Sequence, residues 1–224
     1  MSKCILELES YMYQKKFKSK PLLRGLIHQA MFFIAVGACA PLIIKSSSAE
    51  GYVATSIYSA AILMMFGFSA LYHRFNWYDS AEKWMRKLDH VGIFIMIAGT
   101  ITPLCLLILP SNEGIILLIV IWSIAILGIL QSFLFSPLPR VIRVFIYVLM
   151  GFAAIPYMAS IFQTISITNS VLIVTGSVLY VIGALGYSLK FPKLSPKVFS
   201  YHEVFHVLVS VAATLHFIVI YSII

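Results

Sequence analysis

The sequence predicts an all-α polytopic membrane protein with seven transmembrane helices, its N-terminus inside and its C-terminus outside. Three observations carry that prediction. Hydrophobic residues make up 61% of the 224-residue chain and charged residues only 11%, against about 25% charged in an average soluble domain. So few polar side chains cannot cover so large an apolar interior in water, whereas a bilayer solvates the excess. The apolar residues also fall into seven runs long enough to cross about 30 Å of hydrocarbon as helices. Finally, of the 16 lysines and arginines, seven crossings leave only Lys45 on the side opposite the rest.

The seven runs cover roughly residues 22–44, 52–73, 88–109, 114–135, 141–161, 168–189 and 200–223. Hydrocarbon offers no water to satisfy backbone N–H and C=O groups, so each run must close its own hydrogen bonds as a helix. Short connections with turn residues separate the runs, such as Ser136-Pro-Leu-Pro139 and Lys190-Phe-Pro-Lys193. The longest connection, 74–87, carries Trp77, Tyr78 and Trp84, which suit the membrane–water interface. Pro41, Pro103 and Pro156 fall within or near the ends of runs, and each is expected to kink or end its helix.

Residues 1–21 read as a cytoplasmic tail and 22–224 as one transmembrane domain. The tail mixes Glu7, Glu9, Lys15, Lys16, Lys18 and Lys20 and holds no continuous apolar core before a cleavage site. The first span is therefore expected to serve as an uncleaved insertion signal. Basic residues cluster in the tail (with Lys3 and Arg24), at Arg74, Lys83, Arg86 and Lys87, at Arg140 and Arg143, and at Lys190, Lys193 and Lys197. The positive-inside rule places all of these in the cytoplasm. The net charge of +8 is thereby explained by orientation in the membrane, and nucleic acid is not an expected partner. Cys4, Cys39 and Cys105 have neither metal-ligand nor disulfide-framework spacing, and the last two read as small buried hydrophobes.

Ionisable residues at membrane depth are costly, which makes each one a functional candidate. His202 and His206 are four residues apart at the start of the last run, one turn apart on one helix face. That spacing suits two metal ligands, and it equally suits a hydrogen-bonded pair in a polar crevice. Glu203 between them is either part of that site or solvated at the interface. His73 closes the second run. The second and seventh spans run in opposite directions, so all three histidines lie at the same cytoplasmic depth. Three protein ligands with one open position form the catalytic arrangement for zinc, with water in the fourth place; copper, nickel and iron also accept imidazole. Ser69 is one turn from His73. Asp89 opens the third span at the same end, placed either to take a proton from a metal-bound water or to pair with Arg86 or Lys87. His90 points about 100° away from Asp89 and ranks lower. His216, about 21 Å beyond His202 along the axis, reads as an interhelical hydrogen-bonding residue, and His28 as a structural residue near the cytoplasmic end.

At Ser69-Ala-Leu-Tyr-His73, Leu88-Asp89-His90 with Ala98-Gly-Thr-Ile-Thr-Pro103, and His202-Glu-Val-Phe-His206 running on to His216, the chain resembles the hemolysin III branch of the progestin and adipoQ receptor family, which includes the adiponectin receptors. The resemblance covers essentially all seven spans. It implies a seven-helix bundle with an inside N-terminus, zinc bound by His73, His202 and His206, and Asp89 and Ser69 near the metal-bound water. It also implies kinship to alkaline ceramidases and other membrane hydrolases. The animal receptors commonly have tyrosine after the aspartate, where this chain has His90, and a large N-terminal domain like theirs is not expected here.

Three functions compete. One is a zinc-dependent intramembrane hydrolase of lipid amide or ester bonds, with Asp89 and Ser69 catalytic and a ceramide-like or other acyl-chain substrate. The second is a receptor-like or regulatory protein whose zinc is structural. The third is a hemolysin-like pore, which needs a continuous polar path that the outer halves of the spans do not supply. Metal binding requires neutral histidines, so affinity is expected to fall below about pH 6 to 6.5. Compact loops fit a bacterial inner membrane.

Overall fold

A computed structural model describes residues 20–135, 137–195 and 197–224. The tail positions Lys3, Cys4, Glu7, Glu9, Lys15, Lys16 and Lys18, and with them most of the expected 1–21 tail, lie outside the described residues. The described chain is helical and includes seven segments long and apolar enough to cross a bilayer. In order, the helices are α1 (Leu26–Lys45), α2 (Ala49–Arg74), α3 (Asp79–Leu107), α4 (Ser111–Leu134), α5 (Arg140–Phe152), α6 (Met158–Thr164), α7 (Ile167–Leu189) and α8 (Tyr201–Ile223). A 3-10 turn, Ile155–Tyr157, joins α5 to α6, and the two together make the fifth span.

Serines begin several of these helices. Ser48 accepts the Gly51 N–H at 3.0 Å and Ser166 accepts the Asn169 N–H at 3.2 Å, each satisfying a first-turn donor. Ser200 and Glu203 form a capping box at the start of α8, in which the glutamate accepts the Ser200 N–H at 2.8 Å.

Two elements differ from the sequence reading. The third helix begins at Asp79 rather than near 88, so most of the expected 74–87 connection is helical. Asp79 and Glu82 in its first turn favour a helix N-terminus through the macrodipole, and this extension is too polar to register as a membrane run. The fifth span is broken where Pro156 falls in the 3-10 turn. Proline lacks the N–H of the i→i−4 bond and collides with the carbonyl one turn back. By contrast, α1 and α3 continue through Pro41 and Pro103.

Lipid supplies no hydrophobic force between helices, so close approach depends on small residues. On α3, Gly99 lies so near α2 that an added Cβ would collide with that of Ala61. Two apolar clusters result. One joins α3, α4 and α5 through Phe94, Ala98, Leu117, Ile121 and Met150. The other joins α1, α2 and α8 through Leu42, Tyr58, Phe66, Val209 and Ala213. Cys39 and Cys105 are buried, as expected of small hydrophobes. Between α3, α5, α6, α7 and α8 the packing leaves a cavity of about 410 Å³. It begins among the histidines at the basic end of the bundle and extends toward the far end.

Candidate metal centre

His73 sits in the last turn of α2, and His202 and His206 in the first turns of α8. Opposite helix directions bring these ends together, as the depth argument requires. The Nε2 atoms of His73 and His202 are 3.2 Å apart, and one ligand atom from each of the three histidines lies within 4.8 Å of the others. Two imidazole nitrogens at normal zinc distance and tetrahedral angle stand about 3.4 Å apart, so the pair is already at chelating separation. His73 and His206 are buried, and the Nδ1 of His206 has no hydrogen-bond partner among the described residues. A cluster of three converging imidazoles fits a metal ion, and imidazole donors alone do not choose which one.

The segment just before α1 holds the cluster in place. Gly25 has a left-handed φ of 76°, and a Cβ there would come within 2.6 Å of the His73 Cβ. Only glycine satisfies both the backbone conformation and the approach. Lys20 donates to the carbonyls of Tyr72 at 3.0 Å and Phe75 at 2.6 Å, closing the free C-terminal end of α2 beside His73. Partial burial lowers the pKa of this ammonium despite the opposing charge of Glu82. The Leu22 and Leu23 N–H groups donate to the Lys197 and Val198 carbonyls ahead of α8. Arg24 makes an ion pair with Glu203, which is fully buried. The interfacial solvation considered for Glu203 therefore gives way to a tether, in which one carboxylate binds Arg24 and caps the helix carrying both His202 and His206.

Asp89 lies beside the histidines, its Oδ2 3.8 Å from His73 Nε2. Among the described residues it makes no ion pair with Arg86 or Lys87; Lys87 instead donates to the Phe133 carbonyl at 3.0 Å. Ser69 is buried, within hydrogen-bonding reach of the Asp89 carboxylate and 2.8 Å from His28 Nδ1. The His28 ring stacks on His206, with centroids 3.8 Å apart. His28, assigned a structural role from sequence, thus stands in direct contact with a candidate ligand and with Ser69. His90 lines the cavity, and its carbonyl accepts the Tyr147 hydroxyl at 3.2 Å. His216 donates through Nε2 to the Ile173 carbonyl of α7 at 3.2 Å, the interhelical role expected of it.

Sequence reasoning did not find the Arg24–Glu203 pair, Gly25 or the reach of His28. The Ser200-x-x-Glu203 capping signature was legible and predicts a helix start, but its arginine partner lies far away in the chain.

The cavity takes up Ser69, Asp89 and His202 at one end and is otherwise mainly apolar. Phe152, Ile155, Val174 and Val178 line it and are also exposed on the outer surface, so it opens sideways between the fifth and sixth spans.

A family profile described as Haemolysin-III related matches residues 17–217. The protein named Hemolysin-3 from Bacillus cereus is 28% identical over 173 residues, covering 76% of this chain and 78% of its own. A Hemolysin-3 homolog from Bacillus subtilis (strain 168) is 26% identical over 185 residues, covering 81% and 84% respectively.

Proposed function

This chain belongs to the haemolysin-III-related family and is an integral protein of the bacterial plasma membrane, and we propose that it is a metal-dependent intramembrane hydrolase of lipid amide or ester bonds. The observation that carries the reading is a three-histidine cluster, with His73 and His202 at chelating separation, whose His202 lines an acyl-chain-sized, laterally accessible cavity. Zinc is the proposed ion, held by His73, His202 and His206; when bound it supplies Lewis-acid polarisation of a carbonyl and a lowered pKa for water.

The protein's own residues do the rest. Asp89, beside His73 and facing the cavity, takes the proton of the attacking water and returns it to the leaving nitrogen or oxygen. Ser69 steadies the Asp89 carboxylate or donates to the developing oxyanion, and His28 fixes the Ser69 hydroxyl. Lipid reaches the site from the side, with its acyl chain along the apolar wall and its ceramide-like amide or ester at the histidines. By the positive-inside rule the cluster faces the cytoplasm, where the Lys20–Gly25 segment packs across the end of the bundle.

A second reading, a purely structural metal, draws on the same geometry. The ligands come from α2 and α8, so an ion there crosslinks two distant parts of the chain. The pore implied by the relatives' name needs a polar path, and the mainly apolar cavity lining argues against one.

Metal content and turnover of ceramide-like lipids by purified wild type, His202→Ala and Asp89→Asn separate these readings. The hydrolase reading expects His202→Ala to lose both, and Asp89→Asn to keep metal and lose turnover. A His202→Ala variant without metal but with full turnover eliminates it, and an inactive wild type stabilised by metal supports the structural reading.

A further inference from the structure

The slot between the fifth and sixth spans changes character along its length. At the basic end Arg140 closes it. This residue opens α5, and its guanidinium lies over the Tyr187 ring of α7 at 4.8 Å and the Tyr201 ring of α8 at 5.8 Å, both within cation–π range. It also donates to the Tyr187 carbonyl at 3.4 Å. One side chain thus clamps the ends of three helices together. Tyr187 lines the cavity and meets His202 edge to face, with ring centroids 5.2 Å apart, so the clamp borders the candidate metal centre.

Farther from the clamp the wall opens. The lining residues nearest to it on α5, Val144 and Tyr147, are buried, whereas Phe152 and Ile155, with Val174 and Val178 on α7, are about half exposed. Phe152 is 12 residues beyond Arg140, and Val178 and Val174 are 9 and 13 residues before Tyr187. Those separations are about 18, 14 and 20 Å along the helix axes. The lateral opening therefore lies near the middle of a hydrocarbon core about 30 Å thick. Gly151 is on the same wall, and an added Cβ there meets nothing within 4 Å.

A lipid entering at that depth must bring its head group through hydrocarbon before the head reaches the histidines. An uncharged head makes that passage at modest cost, and an ionised one does not. We infer that Arg140, with Tyr187 and Tyr201, is a selectivity gate. It bars the direct route from the cytoplasmic head-group layer, leaves the mid-membrane slot as the entrance, and so restricts the site to lipids with uncharged head groups. This inference rests on the acyl-chain reading of the cavity and names the substrate class within it.

The test is the rate of uptake from a bilayer, because a gate acts on rates and leaves equilibrium affinity to the cavity. Purified full-length protein in lipid nanodiscs is offered two amides with the same fluorescent polyene acyl chain. One is an uncharged ethanolamide, and the other is a taurine conjugate whose sulfonate stays ionised. A spin-labelled lipid in the disc quenches the polyene until the chain enters the protein. Wild type is expected to take up the ethanolamide about a hundredfold faster than the taurine conjugate. In Arg140→Ala the taurine conjugate should speed up until the two differ by no more than about tenfold. The ethanolamide rate and the metal content should stay at the wild-type level, which also shows that the variant is folded. Tyr201→Leu removes one ring of the clamp and should shift the ratio the same way by less. Gly151→Trp fills the slot and should slow the ethanolamide by at least about tenfold. Equal rates in wild type, a ratio unchanged in both clamp variants, or an ethanolamide rate untouched by Gly151→Trp overturns the gate and leaves the acyl reading standing. If wild type takes up neither amide, the acyl reading falls and the gate with it.

Discussion

Two polar regions of the bundle differ in whether charged groups tie them to the rest of the chain. At the basic end the charged groups around the histidines are held by other parts of the chain, while His28 Nε2 and His206 Nδ1 have no hydrogen-bond partner among the described residues. Arg24 holds Glu203, Lys20 holds the end of α2, and His28 holds Ser69. Deeper in the bundle, the Tyr180 hydroxyl and His216 Nδ1 have no partner among the described residues, and no charged group is involved. A metal centre needs its donors fixed before the ion arrives, because a rigid first layer depends on what orients it. The first region is therefore expected to respond to substitution through stability and metal affinity, the second without loss of the metal.

The largest expected effect comes from the chemistry itself. Asp89→Asn keeps the shape of the side chain and removes its basicity, so turnover of a lipid amide should fall about a hundred- to ten-thousand-fold with metal content unchanged. A kinetic assay alongside elemental analysis checks both halves. Next is Glu203→Ala, which strands the Arg24 guanidinium at the edge of the core. Removing one partner of a buried pair costs about 3–5 kcal/mol; the Arg24 side chain remains 20% exposed, which places the loss toward the lower figure. Denaturation of the metal-free protein should show it, and an unchanged midpoint would mean that the tether is idle.

Smaller still is Gly25→Ala. A left-handed φ costs an L-residue about 1–2 kcal/mol, and the new methyl meets His73, so metal affinity should fall along with stability. Its control is Gly37→Ala on α1, where an added Cβ meets nothing within 4 Å. That change should stabilise the helix by at most about 1 kcal/mol and leave metal binding untouched. If the two alanines behave alike, the close approach at Gly25 does not matter to the site.

How much of this was legible in the sequence depended on which interaction set each feature. Hydropathy reports the solvent around a segment, so all seven spans were readable from the apolar runs, and Pro156 marked the break in the fifth. The amphipathic first turns of α3, from Asp79 onward, sit outside the strongly apolar run and were read as a loop. Helix direction and depth brought His73, His202 and His206 together on paper, because topology alone fixes which end of a span each residue occupies. Rotation about the helix axis is not given by topology. For that reason the stacking of His28 on His206 and the ring contact of Tyr180 with His216 emerged only from the packed bundle. The Arg24–Glu203 pair joins residues near opposite ends of the chain and leaves no periodic signature, so neither the tether nor the lacing of Leu22 and Leu23 onto Lys197 and Val198 could be read in advance.

Metal analysis of the purified full-length protein, after reconstitution with zinc and removal of free ion, tests the central claim most directly, with wild type set beside His73→Ala and His216→Phe. About one tightly held ion per chain is expected in wild type and in His216→Phe, and close to none in His73→Ala. A His73→Ala variant that retains the wild-type ion, or a wild type that retains none, would contradict the account.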